Sequence, residues 1–377
     1  MTPHLVFYRK YRPQTFAELI GQEHVVQTLT NAINSDRVSH AYLFCGPRGS
    51  GKTTIARLLA KAVNCTGRKS FEPCGKCPSC LDVAKGVAVD LIEIDAASHR
   101  GIDEIRELKE GVKYAPSGSR KKIYIIDEAH QLTKEAANAL LKILEEAPSH
   151  AIFILATTEA HKMIPTIISR CQRFDFRKLT VTELVSRLEM ISKKEGIKIE
   201  KEALELIALN SEGAARDAEG LLGQIISFFP SNEKPIKAKE IEDLLGLVDI
   251  GLTSRMADFL ISKDIKGAFR FLNELGDKGK DFHEFAKMMT NYLRKAMIVK
   301  IMGEETKERR SPVMNSILAG MTDEDFANLK KQANSFKEED LIKSLQLIIE
   351  AQNKMKYSSI TQLPLELAIM EMIGINE

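Results

Sequence analysis

Tryptophan is absent from the 377 residues, aromatic residues together make up only 6% of the chain, and cysteine occurs six times. So few cysteines in so long a chain exclude a small scaffold held by disulfides. Long apolar runs are missing too. No stretch approaches the roughly 18 uninterrupted apolar residues of a membrane span. Met1 to Pro13 is basic and aromatic, without the apolar centre of a signal peptide. A cytoplasmic protein with no membrane contact is therefore expected. An excess of charge of either sign is also lacking. Lys plus Arg number 54 and Asp plus Glu 52, a net charge of +2, so any nucleic-acid contact must come from local clustering of basic residues. Proline and glycine, at 12 and 22, are too few for a linker-dominated or disordered chain. What is present, 44% hydrophobic and 28% charged residues, is globular composition, and the length suits two or three domains with sizeable cores.

Up to about residue 180, short β-branched runs alternate with amphipathic helical runs, as in a parallel sheet covered by helices on both faces. The candidate strands are Ala41 to Cys45, Val89 to Asp95, Lys122 to Asp127, Ala151 to Thr157 and Gln172 to Phe176, each short and apolar as doubly buried strands should be. Thr133 to Glu146 places Ala136, Leu140, Leu141 and Leu144 on one helical face and ends before Pro148. From Thr180 onward only helical periodicity remains. Thr180 and Glu183 form a candidate capping box ahead of the stripe Leu184, Leu188, Ile191, which stops at Gly196. Helical segments follow at about Glu200 to Asn210 and Ala214 to Phe228, then a turn-rich stretch from Pro230 to Pro235. Beyond Leu247 the chain stays helical. Its Phe259, Phe269, Phe271, Phe282 and Phe285 read as helix core and not as a cofactor box. The expected domains are 1–179, 180–246 and 247–377.

Gly46-Pro47-Arg48-Gly49-Ser50-Gly51-Lys52-Thr53 follows the first strand and opens the helical pattern Thr54 to Val63, the context a phosphate-binding loop requires. Its glycines let backbone N–H groups turn inward around phosphate oxygens at a helix N-terminus. Lys52 reaches the β- and γ-phosphates of ATP, and Thr53 ligates Mg²⁺. Downstream, the apolar strand Ile123-Tyr124-Ile125-Ile126 ends in Asp127 and Glu128. Asp127 suits the Mg²⁺ shell, and Glu128 suits orienting and deprotonating the attacking water. An acidic strand end alone is often just a solvated turn. Paired with a phosphate loop it becomes the second half of a nucleotide hydrolysis site.

Cys74-x-x-Cys77-x-x-Cys80, with Cys65 nine positions earlier, supplies four thiolates, a full tetrahedral set for zinc with no open coordination position. A closed shell is structural, not catalytic. An iron–sulfur cluster or unligated thiols would also use such spacing. Cys45 and Cys171 sit at strand ends and read as small packing residues.

Tyr11-Arg12-Pro13-Gln14-Thr15-Phe16, Gly21-Gln22-Glu23-His24, the phosphate loop, Leu91-Ile92-Glu93-Ile94-Asp95-Ala96-Ala97-Ser98 and Ser169-Arg170-Cys171 together closely resemble the gamma/tau subunits of bacterial DNA polymerase III, clamp-loader ATPases of the AAA+ class. The similarity is dense over about residues 5 to 225 and continues by helical character alone. It implies an α/β parallel-sheet AAA+ P-loop domain with a zinc module at 65–80, then a helical lid and an all-α collar that holds subunits in a ring. Thr158, in Ala156-Thr157-Thr158, matches the first sensor near the γ-phosphate. Arg170 matches the arginine finger aimed at ATP on the neighbouring subunit, and Arg216 matches the second sensor carried by the lid. The segment before Pro13 wraps the base in such proteins, so Tyr8, Arg12, Pro13 and Ile20 are the implied adenine neighbours. Family members carry zinc at the positions of Cys65, Cys74, Cys77 and Cys80.

Helices following Asp95 face the DNA backbone in clamp loaders. Here His99 and Gly101 stand where basic side chains are frequent, which leaves Arg100, Arg106 and Lys142 as the candidate phosphate contacts. The partners implied are other loader subunits of delta and delta-prime type in a pentamer, the sliding clamp and primer-template DNA. Longer family products continue into helicase- and polymerase-binding segments past the point where this sequence ends. Two rivals are weaker. An AAA+ branch-migration motor would not need the cysteine cluster or Ser169-Arg170-Cys171, and a non-hydrolysing scaffold would tolerate losing Lys52, Thr53, Asp127 and Glu128, all of which are present.

Overall fold

Parallel strands β1 (Ala41–Cys45), β2 (Leu91–Asp95), β3 (Lys122–Asp127), β4 (Ala151–Thr157) and β5 (Gln172–Asp175) form one sheet in the order β2-β3-β4-β1-β5. The structure is a computed structural model that describes residues 6–99, 101–229, 234–245, 250–302 and 323–374. Contacts divide the chain into two compact units, 1–235 and 236–377, a division that falls ahead of the 246/247 boundary expected from the sequence.

Period-2 side-chain alternation builds two cores from one sheet. Ile123 and Ile125 of β3 face one side, with Tyr42, Phe44, Ile152 and Ile154. Against that face lie Val25, Leu29 and Ile33 of α2 (Glu23–Asn34) and Ile55, Leu58 and Leu59 of α3 (Lys52–Val63). Tyr124 and Ile126 face the other side, with Leu43, Phe153 and Leu155. That face is covered by α5 (Ile102–Val112) and α6 (Lys134–Glu145), through Ile105, Leu108, Leu140, Ile143 and Leu144. Every residue of β1 and β4 is buried. The outer strands β2 and β5 depart from the expectation of full burial, because each has a neighbour on one side only; in β5 Phe174 alone is buried. The ends shift as well: Val89 is 76% exposed and precedes β2, and the helix after Asp95 is confined to α5.

Further helices of the first unit lie around this sheet and open its lid. They are α1 (Phe7–Lys10), α4 (Pro78–Lys85), α7 (Pro165–Ile168) and the lid helix α8 (Val181–Glu195). The Thr180 side chain accepts from the Glu183 N–H, the Glu183 carboxylate accepts from the Thr180 N–H, and Gly196 closes α8 in the left-handed region, as the sequence anticipates. The lid continues through α9 (Lys201–Asn210) and α10 (Ala215–Phe228). Arg187 of α8 and Glu219 of α10 form a buried pair at 2.8 Å, and Arg187 also donates to the Tyr11 carbonyl.

The described elements of the second unit are helices α11 (Ala238–Leu245), α12 (Ile250–Ser262), α13 (Ile265–Asp277), α14 (Phe282–Met302), α15 (Asp323–Ser335), α16 (Glu338–Met355) and α17 (Leu363–Ile373). Phe271 and Phe285 are central to its core, and Phe259, Phe269 and Phe282 pack around them, as the spacing predicts. One polar network is buried there. The Tyr292 hydroxyl donates to Gln332 Oε1 at 2.5 Å, while Gln332 Nε2 donates to the Ser254 carbonyl and to Asp258. No helix among the described residues is long and apolar enough to cross a membrane.

Candidate active site and cysteine centre

Because β1, β3 and β4 run parallel, their carboxyl ends deliver loop 46–51, Asp127-Glu128 and Thr157-Thr158 to one rim of the sheet, where open α/β sheets bind ligands. Glycine is required in the loop. Gly46 sits at φ 150°, and a Cβ there would lie 2.5 Å from the Phe176 carbonyl oxygen; at Gly49, φ 74°, a Cβ would meet that of Ala214 at 2.9 Å. The loop closes on itself through Ser50 Oγ, which donates to the Pro47 carbonyl at 2.8 Å.

The loop opens onto a cleft of about 200 Å³. Arg48, Gly49, Ser50, Gly51, Lys52 and Thr53 line its phosphate end together with Asp127 and Glu128. Tyr8, Arg12, Pro13 and Ile20 line it as well, and so does Arg216 of α10 from the lid, its guanidinium 4.7 Å from the Tyr8 ring centroid. The Arg216 hydrogen bond and charge pull the Tyr8 phenol pKa down. Gly46 and Pro47 act through their carbonyls, which accept from Lys52 Nζ at 2.7 and 2.8 Å. Burial lowers the Lys52 pKa, against the opposing charges of Glu128 and Asp127.

Thr53 Oγ1 donates to Asp127 Oδ2 at 2.8 Å, so a hydroxyl and a carboxylate from two elements converge as a hard divalent cation needs. Backbone donors, an ammonium, a hydroxyl and a carboxylate thus fit a nucleotide phosphate chain with Mg²⁺. Glu128 occupies the left-handed region (φ 49°, ψ 42°), uncommon for a side-chain-bearing residue and concentrated at functional sites. Its Oε2 accepts from Thr158 Oγ1 at 2.9 Å, which couples the acid on β3 to the end of β4.

His130 was not singled out in the sequence, yet it belongs here. Its side chain is 4% exposed, its Nδ1 lies 2.9 Å from Thr157 Oγ1 and 3.5 Å from Glu128 Oε2, and its Nε2 lies 3.3 Å from Glu159. The sequence signal for it is its place two residues past the acid pair; Thr157, the neighbour of the candidate sensor Thr158, comes beside it only in the folded sheet. Arg170 is the site candidate that the fold sets apart from this cleft. It follows α7 and pairs with Glu145 at the end of α6, Nε to Oε1 at 2.9 Å. Of the candidate DNA contacts, Arg106 is exposed and paired with Asp103 at 3.0 Å, Lys142 is exposed on α6, and Arg100 lies outside the described residues.

Cys65 follows the end of α3, and the other three thiols come from the turn before α4 and its first residues. All four sulfur atoms lie within 4.8 Å of one another. Tetrahedral bonds of about 2.3 Å place thiolate sulfurs about 3.8 Å apart, and Cys65 Sγ and Cys77 Sγ are separated by 3.9 Å. The Cys74 N–H donates to Cys65 Sγ at 3.2 Å, and the Cys77 N–H to Cys74 Sγ at 3.3 Å. Burial alone would raise the Cys77 thiol, but N–H groups of Cys80 and Thr66 hold it at about 5. Such an all-sulfur set, supported by N–H donors, fits zinc. Cys171 is a different kind of thiol, pushed up to about 12 by burial and the nearby Cys45, and both read as packing groups.

A five-stranded parallel sheet with a phosphate loop, an acid pair and a helical lid that lends an arginine defines an AAA+ ATPase fold. Family comparison narrows the class. Residues 21–180 match the family described as DNA polymerase III, delta subunit; residues 183–229 match the DNA polymerase III clamp loader subunit, ATPase lid domain; and residues 236–377 match DNA polymerase III subunits gamma and tau domain III. DNA polymerase III subunit gamma of Buchnera aphidicola is 33% identical over 370 residues, 98% of each chain. DNA polymerase III subunit tau of Bacillus subtilis is 40% identical over 365 residues, 97% of this chain and 62% of the relative. The chain belongs to the gamma/tau subunit family of DNA polymerase III. It spans 62% of the length of that tau subunit and about half that of other long relatives it matches. The Thermotoga maritima RuvB Holliday junction branch migration motor is similar at 21% identity and a TM-score of 0.48, over 66% of this chain and 79% of that one, a likeness too distant to bear on function.

Proposed function

We propose that the chain is an ATP-hydrolysing subunit of a clamp loader, coupling ATP binding and hydrolysis to opening of a sliding clamp and its placement on primed DNA. The observation that carries this reading is the Thr53–Asp127 contact at 2.8 Å, in a cleft that Lys52, Glu128 and Arg216 also line. Lys52 and the N–H groups of loop 46–51 hold the phosphates, and Tyr8, Arg12, Pro13 and Ile20 bound the adenine side. Thr53 and Asp127 are the residues that would hold Mg²⁺, which when bound neutralises charge on the β- and γ-oxygens. Glu128 accepts the proton of the attacking water once Thr158 releases its carboxylate, which makes the Thr158–Glu128 bond a gate on hydrolysis.

Arg170, outside its own cleft, is suited to serve the site of a neighbouring subunit, since a desolvated phosphate is where such a guanidinium acts most strongly. The partners are loader subunits of delta and delta-prime type in a pentamer, the clamp, and the DNA backbone through Arg106, Lys142 and Arg100. Cys65, Cys74, Cys77 and Cys80 hold a structural Zn²⁺.

Steady-state ATPase of the chain assembled with its loader partners and clamp, with and without primed DNA, tests the reading. Strong stimulation by clamp and DNA, lost in Arg170→Ala while ATP still binds, is expected. Turnover indifferent to clamp, DNA and Arg170 would sink the mechanism.

A further inference from the structure

The cysteine module grips the turn that joins two stretches of the cleft wall. Between Cys65 and Cys74 the chain carries Phe71 and Glu72, and the Glu72 carboxylate spans two backbone donors of the N-terminal segment. Oε2 accepts the Phe16 N–H and Oε1 the Ala17 N–H, both at 2.9 Å. The Phe71 ring meets the Phe16 ring edge-on at 6.5 Å, and Phe16 itself is 2% exposed in the core beneath the sheet. These contacts grip the single turn Phe16–Glu18, which the Leu19 N–H closes onto the Phe16 carbonyl. That turn lies between the two stretches that form the cleft wall, Arg12 and Pro13 before it, Leu19 and Ile20 after it. A second tie runs from Lys61 of α3, whose Nζ donates to Gln14 Oε1 at 2.9 Å. Glu72 stands two residues from Cys74 of the four-sulfur set, and Cys65 comes two residues after the end of α3, the helix that begins with Lys52. The four-sulfur centre is therefore joined through the chain to α3, the helix that begins at the phosphate loop, and through Glu72 to the turn between the two stretches of the cleft wall.

We propose that Glu72 is a positioning residue for the nucleotide cleft, through which metal held by the four cysteines strengthens ATP binding. The inference rests on the cleft being an ATP site. With metal in place the loop 65–80 has one conformation, and Glu72 meets Phe16 and Ala17 as a fixed clamp. Without it no bond joins the four sulfurs, the loop samples other conformations, and the wall formed by Leu19 and Ile20 loses its anchor. Because the clamp sits far from the phosphates, it acts on affinity and leaves the chemical step alone. Coupling between two such sites is reciprocal, so nucleotide also strengthens metal retention by the same factor.

The test measures dissociation constants for a fluorescent ATP analogue with Mg²⁺ on the full chain, wild type and Glu72→Ala, each before and after removal of zinc by a strong chelator. Zinc content is measured throughout. Glu72→Ala is expected to keep one zinc per chain and to bind the analogue at least about fivefold more weakly, within the usual range of coupling between sites. Chelation should weaken wild type similarly and add little to the variant, because both changes break one path. In the assembled loader, KM for ATP rises in Glu72→Ala while turnover at saturating ATP holds. Wild-type affinity in Glu72→Ala, or a full additional loss on chelating it, would overturn the proposal. Should Glu72→Ala fail to fold, Glu72→Gln, which keeps an acceptor oxygen, decides: weaker binding supports the clamp and unchanged binding removes it. A wild type that binds no nucleotide would instead defeat the ATP reading. Hydrogen exchange at the Phe16 and Ala17 amides, protected by zinc and by Glu72 alone among these variables, then still tests the clamp.

Discussion

Glu128 is held by Thr158 at 2.9 Å in a left-handed backbone conformation, with His130 against the same oxygen at 3.5 Å. A carboxylate so engaged is poised but not free to take a proton. Glu128→Gln preserves shape while removing basicity, so nucleotide binding should persist and turnover in the assembled loader should fall by about 10²- to 10⁴-fold, the usual worth of general-base catalysis. Lys52→Ala, by contrast, should lose binding itself, and equilibrium titration with a nucleotide separates the two. His130→Ala removes a buried group that joins Thr157, Glu159 and Glu128. Its effect should appear in kcat more than in KM, because the imidazole touches the acid and not the cleft wall. Equal loss in both would mean that His130 merely supports the fold.

At the scale of the elements, local chemistry and distant packing divide the explanation. The start of α8 was legible because Thr180 and Glu183 are three residues apart and complete each other's hydrogen bonds. Thr180→Ala should cost about 1 kcal/mol of stability in thermal unfolding, as caps do. The Arg177 hydrogen bond, with help from Thr180 and against partial burial, pulls the Glu183 carboxyl from 4.5 down to about 2. A depressed acid stabilises the fold above its unfolded pKa and loses that contribution as pH falls. Wild type and Glu183→Gln should therefore differ at neutral pH and converge between about 4.5 and 2. The central strands β1, β3 and β4 were likewise legible, since burial on both faces writes continuous apolar runs. The edge strands β2 and β5 are two residues and one residue shorter than the sequence pattern predicts, because half-exposed strands lack that signature. Asp90 could not be read at all. Its carboxylate accepts the N–H groups of Ser117, Gly118 and Ser119 at 2.8, 3.0 and 2.9 Å, a role that exists only once β2 lies beside β3. Glu72 and His130 were hidden for the same reason, each acting on partners that only the folded chain brings near.

For the molecule as a whole, a net charge of +2 means that no general field draws it to nucleic acid, so DNA affinity must be local. Arg106 and Lys142 stand exposed on α5 and α6, two helices packed on the same face of the sheet. Arg106 shares its charge with Asp103 at 3.0 Å, a surface pair weak enough to exchange for a phosphate. Contacts of this kind neutralise phosphates and release counterions, and they carry no sequence information. Arg106→Ala combined with Lys142→Ala should therefore weaken binding of the assembled loader to primed DNA by the same factor for every sequence tested. The slope of log K against log salt should become shallower by about 1 per contact removed per subunit. Both residues lie away from the cleft, so ATP affinity should hold while stimulation of turnover by DNA declines. A salt slope unchanged in the double variant would show that these side chains are solvated helix charges and that DNA is held elsewhere.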